Sequence, residues 1–397
     1  MMEVLGKRVS RHVPVTHGCV TGERKMDFVN GQKKRERLAY LDLSKGLGMI
    51  MIMCGHLAYL QSPVSDWFSS AKIAVFYVIS GMLLTLEMRD FETRRECVAL
   101  AKKKIRRLMI PYLVFSCTAI LINVCAYALA GKSVIDGLKR DIFNTVTLRG
   151  MYTLWFLPTL LLAELGFIFL RRMLSGKIIK CIALLVLPCG SVLLGMAHHS
   201  LQVRLGEQPA ADLILLPTSL LMKSLVALWF LIVGGLTVEA VDFFRKIKLK
   251  WIVAIGMLLI HFVVSNFNPG VDVNLLNLGK RPFLFFVNGV IGSYAIIAVS
   301  IVLCEWRELK PLIWIGENSL FIMATHLPWK VTTGITWMIS RVVKFKQATA
   351  GYYFVIIFAL ILSLLAEKVL LTVWKGLAGL LNKHVLNNKN KGTGNVR

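Results

Sequence analysis

Three ionisable side chains stand inside one apolar stretch of the chain, Leu38 to Leu60, reading LAYLDLSKGLGMIMIMCGHLAYL. Asp42 and Lys45 are three residues apart, and His56 follows Lys45 by eleven, close to three whole helical turns, so all three fall on one helix face. A mostly apolar stretch of about 20 residues is long enough to cross a bilayer. Ionisable groups at that depth are costly and face a bundle interior or a water-filled cavity, which marks them for function. The bland alternative is a buried Asp–Lys pair with a satisfied core histidine; three aligned groups weigh against it. His56 is the candidate general base, because an imidazole with a pKa near 6.5 takes and returns a proton near neutral pH. Asp42 lies about 21 Å from His56 along the same helix, too far to orient the ring, and is expected to pair with Lys45.

A second polar set lies in WIGENSLFIMATHLPW, Trp314 to Trp329. Glu317 or His326 is placed to approach His56 in a folded bundle, so that two histidines flank one cavity. For His326 the plain reading, a residue beside Leu327 and Pro328 at a helix end, carries equal weight. Asn318 and Ser319 join Asp42 and Lys45 as candidate substrate contacts. A basic run, Lys102, Lys103, Lys104, Arg106 and Arg107, precedes the IPY of 110–112. Positive charge at a membrane edge usually sets topology or faces lipid headgroups. The other reading is a phosphate site, with Lys104 and Arg107 as an i, i+3 pair and Arg106 beside them. Trp155 and Phe156, followed by Pro158, fit the anchoring of a span end at the interface.

The elements that must hold these residues are membrane helices. The chain of 397 residues is 56% hydrophobic and 17% charged, against about 45 to 50% and 25% for soluble domains, and its mean hydropathy is +0.65. Ten apolar runs occur, at about 38–60, 71–86, 108–130, 152–170, 179–197, 213–237, 251–265, 283–304, 312–328 and 351–373. The expectation is an all-α polytopic bundle of about ten transmembrane helices. The formal net charge of +25 reflects position more than partner: 32 of the 47 Lys and Arg residues flank the runs on one side and 11 on the other. By the positive-inside rule both tails are cytoplasmic in an inner (plasma) membrane, and nucleic acid is not an expected partner.

Three divisions follow. Residues 1–37 form a flexible basic cytoplasmic extension, 38–375 the membrane domain and 376–397 a basic cytoplasmic tail. The first 30 residues lack the apolar core of a secretory signal. The eight cysteines are scattered, without CxxC or Cys/His metal spacing, so no metal is expected. GxSxG, HExxH and a complete Walker A are absent, which argues against common soluble hydrolase and ATPase chemistry.

Six segments in order, LDLSKGLGMIMIMCGH (41–56), FYVISGMLL (76–84), KKIRRLMIPY (103–112), LWFLPTLL (154–161), LWFLIVGG (228–235) and IGENSLFIMATH (315–326), resemble the integral-membrane acyltransferase family 3. Within it, they are similar to the fucose 4-O-acetylase and exopolysaccharide acyltransferase branch. The resemblance spans about 40 to 375. It implies a cytoplasmic acyl-coenzyme A donor, acetyl-coenzyme A foremost, used as co-substrate with no permanently bound cofactor. It implies a hydroxyl acceptor on a lipid-linked or cell-surface glycan. By matching motif positions it makes His56 the catalytic histidine, Lys45 a first-span basic residue, and Lys104 with Arg107 the donor-binding motif; it also implies that Trp155 and Phe156 stack on a sugar ring, beside the plain reading of interfacial packing. Lys104 stands where that motif has Arg, a point charge in place of a bidentate fork.

The expected reaction is O-acyl transfer across the membrane, either directly to the hydroxyl with His56 as base or by way of an acyl-histidine. A secondary transporter or glycan flippase would use the intramembrane Asp, Lys and His as a proton relay, but no matching halves of the chain favour it. A membrane sensor without turnover is the third reading. Membrane lipids are the remaining expected contact; oligomeric state, acyl group and sugar position are open.

Overall fold

A chain this apolar must satisfy its backbone donors and acceptors within its own segments once they leave water, and helices do so. The computed structural model describes residues 28–29, 32–33, 38–57, 63–170, 176–206, 211–307, 309–342 and 350–393. Apart from a short antiparallel pair, Phe28–Val29 (β1) with Gln32–Lys33 (β2), the extension 1–37 lies outside them. The helices are α1 (Ala39–Leu57), α2 (Val64–Ala71), α3 (Ala74–Glu87), α4 (Arg94–Leu129), α5 (Val134–Val146), α6 (Phe156–Leu170), α7 (Lys177–Leu205), α8 (Ala211–Leu236), α9 (Val238–Lys246), α10 (Lys250–Ser265), α11 (Pro282–Trp306), α12 (Lys310–Glu317), α13 (Ser319–Thr325), α14 (Val331–Val342) and α15 (Ala350–Thr393). A small hairpin, β3 (Val271–Asp272) with β4 (Asn277–Leu278), joins α10 to α11.

The fold is an all-α helical bundle of the polytopic membrane type. Each of the ten apolar runs coincides with a helix or a broken pair. By length and composition, six are long and apolar enough to cross a membrane: Val64–Glu87, Arg94–Leu129, Ile178–Leu205, Ala211–Leu236, Pro282–Trp306 and Gly351–Leu377. The first run, α1, is 19 residues long but is not among the six, because its Asp, Lys and His lower its hydropathy. The ninth run is broken at Asn318 into α12 and α13, with the Asn318 side-chain amide donating to the Trp314 carbonyl at 2.8 Å.

Helix α4 begins at a capping box: the Thr93 hydroxyl accepts from the Glu96 amide at 3.3 Å and Glu96 accepts from the Thr93 amide at 2.8 Å. The apolar run from about 108 puts Pro111 a few residues into a span; because the helix starts at Arg94, Pro111 lies deep inside a 36-residue helix, where membrane helices tolerate it. Helix α15 carries helical backbone to Thr393, well into the stretch 376–397.

Small residues let the helices touch. With lipid outside as apolar as leucine, close backbone approach is what drives association. A Cβ on Gly46 would stand 2.2 Å from the Leu312 carbonyl oxygen, and one on Gly316 would stand 1.7 Å from that of Asp42. Helix α1 is thus locked against α12 by two glycines, and most of its side chains from Tyr40 to Met53 are buried. Helices α3 and α8 cross in the same way, Gly81 against Leu231 and Gly234 against Val78.

Candidate functional site

The last turn of α1 carries His56, exposed, at the end opposite Lys45. Its ring centroid lies 5.6 Å from that of His326, the C-cap of α13. His326 is fully buried, at 0% exposure. Its Nδ1 lies 2.7 Å from the Ile322 carbonyl oxygen. A carbonyl only accepts, so Nδ1 carries the proton and Nε2 of the neutral ring keeps its lone pair. That Nε2 is buried and has no hydrogen-bond partner among the described residues. The fold therefore brings together two histidines 270 positions apart, one open and one buried with its tautomer set by the backbone.

The elements holding the pair are themselves tied. The Thr332 amide donates to the His326 carbonyl at 2.9 Å, and Thr153 donates to the Met323 carbonyl at 2.6 Å, linking α14 and the segment before α6 to α13. Thr325, the neighbour of His326, donates to Glu367 Oε2 at 2.6 Å. Glu367 is at 0% exposure. Beside His56, the Lys72 ammonium stands 3.3 Å from where a Cβ on Gly55 would be and donates to Ser69 Oγ at 3.3 Å. Asp272, the last residue of β3, lies within electrostatic reach of His56 and of Lys72.

Asp42 Oδ1 and Lys45 Nζ pair at 3.1 Å, Asp42 being buried and Lys45 partly open. Glu317 is exposed at the end of α12, next to the glycine that packs on the Asp42 carbonyl. That contact is about 21 Å down α1 from His56 at 1.5 Å per residue, so Glu317 is not brought to the histidine pair. Asn318 and Ser319 mark the break beside it and are half-buried. Phe156 is core: it stacks on Tyr77 at 5.1 Å and meets Phe76 edge-on at 6.0 Å. Trp155 is also buried, at 5% exposure, with the Lys223 ammonium 4.8 Å over its ring.

The basic run does not act as one surface. Arg106 and Arg107 are exposed. Lys104 is only 4% exposed, held between Glu164 Oε1 at 3.5 Å and Glu87 Oε2 at 3.6 Å. Glu87 also pairs with Lys103 at 2.8 Å.

Another contact looks catalytic and is not. Ser70 Oγ lies 2.8 Å from His261 Nε2, but Trp67 Nε1, a donor only, gives its proton to His261 Nδ1 at 2.8 Å. The neutral ring then carries hydrogen on Nε2 and donates to Ser70, whose own proton goes to the Trp67 carbonyl at 2.7 Å. His261 cannot act as a base toward Ser70 in this arrangement.

Sequence reasoning passed over Lys72, Lys223, Asp272, Glu164 and Glu367. Four of them were visible by the rule applied to α1, since Lys72, Glu164, Lys223 and Glu367 each interrupt an apolar run. Asp272 carries no such signal; only the hairpin places it.

A family model described as an acyltransferase domain, acyltransferase family 3, matches residues 38–368. No curated protein and no solved structure matches the chain.

Proposed function

This chain belongs to acyltransferase family 3, and from that premise we propose that it moves an acyl group, acetyl foremost, from cytoplasmic acyl-coenzyme A to a hydroxyl of a lipid-linked or cell-surface glycan. Within the family we assign it to the branch similar to fucose 4-O-acetylases and exopolysaccharide acyltransferases. The observation that carries the reading is the histidine pair at one end of a helix whose other end holds the Asp42–Lys45 ion pair.

In this reading His56 takes the proton of the acceptor hydroxyl as its oxygen attacks the thioester carbonyl. The tetrahedral intermediate collapses, the C–S bond breaks, and the proton returns from the imidazolium to the departing coenzyme A thiolate. His326, its ring centroid 5.6 Å from that of His56 and its Nε2 unprotonated and without a partner among the described residues, stabilises the imidazolium that His56 becomes in this step. Arg106 and Arg107 are exposed at the far end of the bundle and supply charge for the donor's phosphates; Lys104 is committed to Glu87 and Glu164 and serves structure.

The test is transfer of radiolabelled acetyl from acetyl-coenzyme A to glycan by purified protein in lipid nanodiscs. His56→Ala is expected to lower the rate by about 10²-fold or more, the scale of lost general-base catalysis. A variant with wild-type transfer would overturn the base assignment. Proton-coupled glycan flux without release of coenzyme A would overturn the enzyme reading.

A further inference from the structure

Two lysines are enclosed at the histidine end of the bundle with too little negative charge to balance them. Lys223 is 6% exposed, and its ammonium meets one neutral acceptor, Asn274 Oδ1 at 3.0 Å, and the Trp155 ring at 4.8 Å. No carboxylate lies within ion-pair distance of it among the described residues. Lys72, partly buried, bonds only the Ser69 hydroxyl among the described residues and stands against Gly55, the residue before His56. Their shared counter-charge is Asp272, within electrostatic reach of both lysines and of His56. Asp272 in turn accepts from the Asn274 and Leu275 amides at 2.9 and 3.2 Å, which divides its attraction. Arg149 adds positive charge near Lys223 and is itself paired with Asp212 at 2.7 Å.

The hairpin that brings Asp272 and Asn274 here is held firmly. Gly270 donates its amide to Asp66 on α2 at 3.0 Å. Asn268 donates to the Leu278 carbonyl at 2.9 Å and accepts from the Arg281 amide at 2.7 Å. Gly279 has φ +88°, and a Cβ there would stand 2.4 Å from Asn268 Oδ1. Enclosed ammonium groups without ion pairs are costly to a fold unless a ligand completes them.

We propose that Lys72 and Lys223, capped by the 271–278 hairpin beside His56, form an acceptor subsite for a glycan bearing an anionic group, a carboxylate or a phosphate, with Trp155 forming the wall under Lys223. This rests on the acyl-transfer reading above and deepens it by naming the acceptor's charge. The lysines bind the anion and so hold a nearby hydroxyl at His56; they take no part in proton transfer.

The test is binding, measured separately from turnover. Purified full-length protein in nanodiscs is titrated by calorimetry with methyl glucuronide, with glucose 1-phosphate and with neutral methyl glucoside. At least one anionic sugar is expected to bind about tenfold more tightly than the neutral one, and which one identifies the anion. Lys223→Met, which keeps most of the side chain's length and removes the ammonium together with its bond to Asn274, is expected to abolish that preference, as is Lys72→Met. Lys223→Arg should retain most of it, and Lys280→Gln, at an exposed position near the hairpin, should leave it unchanged. Equal or no binding of all three sugars by the wild type overturns the proposal, as does an equal loss in Lys280→Gln, which would mean attraction by net charge only. If the charge preference holds while acetyl-coenzyme A is never consumed, the subsite stands and the acyl-transfer reading fails.

Discussion

Lys104 and Arg107 stand three residues apart on α4 and share a sequence motif, yet one is sealed between two carboxylates and the other is exposed. Their variants should therefore separate. Removing Lys104 leaves the buried Glu164 without its cation while Glu87 keeps Lys103, and breaking such a buried arrangement costs roughly 3 kcal/mol. Lys104→Ala should lower the melting temperature in detergent by several degrees; an unchanged melting curve would contradict the structural role. Arg107→Ala should leave stability within about 0.5 kcal/mol and mainly raise the apparent KM for acyl-coenzyme A, because a phosphate contact contributes binding more than chemistry. Donor dependence identical to wild type would remove Arg107 from the site. The same logic applies to His326. An asparagine there can still donate to the Ile322 carbonyl from the Nδ1 position but has nothing at Nε2. His326→Asn should thus fold normally and lose about 10²-fold in acyl transfer, and a fully active variant would show that Nε2 has no role.

The helices are positioned by glycines as much as by apolar faces. Gly46 and Gly316 bring α1 and α12 into backbone contact, and this fixes the level of α1 against the broken helix that carries His326. A methyl at Gly316 has no space, since the neighbouring atoms are backbone. Gly316→Ala should destabilise by about 1–3 kcal/mol through overpacking and should lower activity as well, because shifting α12 moves α13. Gly334, with nothing within 4 Å of an added Cβ, is the control: Gly334→Ala is expected to leave both properties near wild type. Thermal unfolding and acetyl transfer on the same preparations decide between local strain and a transmitted displacement. An inert Gly316→Ala would mean that the two helices are not held by this contact.

At the scale of the molecule, Lys103 and Lys104 meet Glu87 at the end of α3, while Lys72, just before its start, stands against Gly55 beside His56, so the basic end and the histidine end are a helix length apart in a bundle whose spans carry most of their Lys and Arg on one flank. Both tails are therefore expected on the cytoplasmic side. Reporter fusions at residue 397 and in the 271–278 hairpin should report opposite compartments, and the same compartment for both would invert the proposed direction of transfer. That arrangement would let a charged, bulky donor stay on one side while only its acyl arm enters the bundle. The acceptor would then approach from the other.

Much of this was written in local pattern. Hydropathy and length determined the helices, the flanking lysines and arginines determined the expected orientation, and the spacing of Asp42, Lys45 and His56 determined a polar stripe, since each depends on residues only a few positions apart. The match of His56 with His326, the commitment of Lys104 to Glu87 and Glu164, the removal of Glu317 from the histidines and the seating of Asp272 beside Lys72 were decided by the tertiary structure alone. The reason is that charge neutralisation and tautomer choice depend on which atoms lie within a few ångströms, and in a helical bundle those atoms come from segments tens to hundreds of residues away.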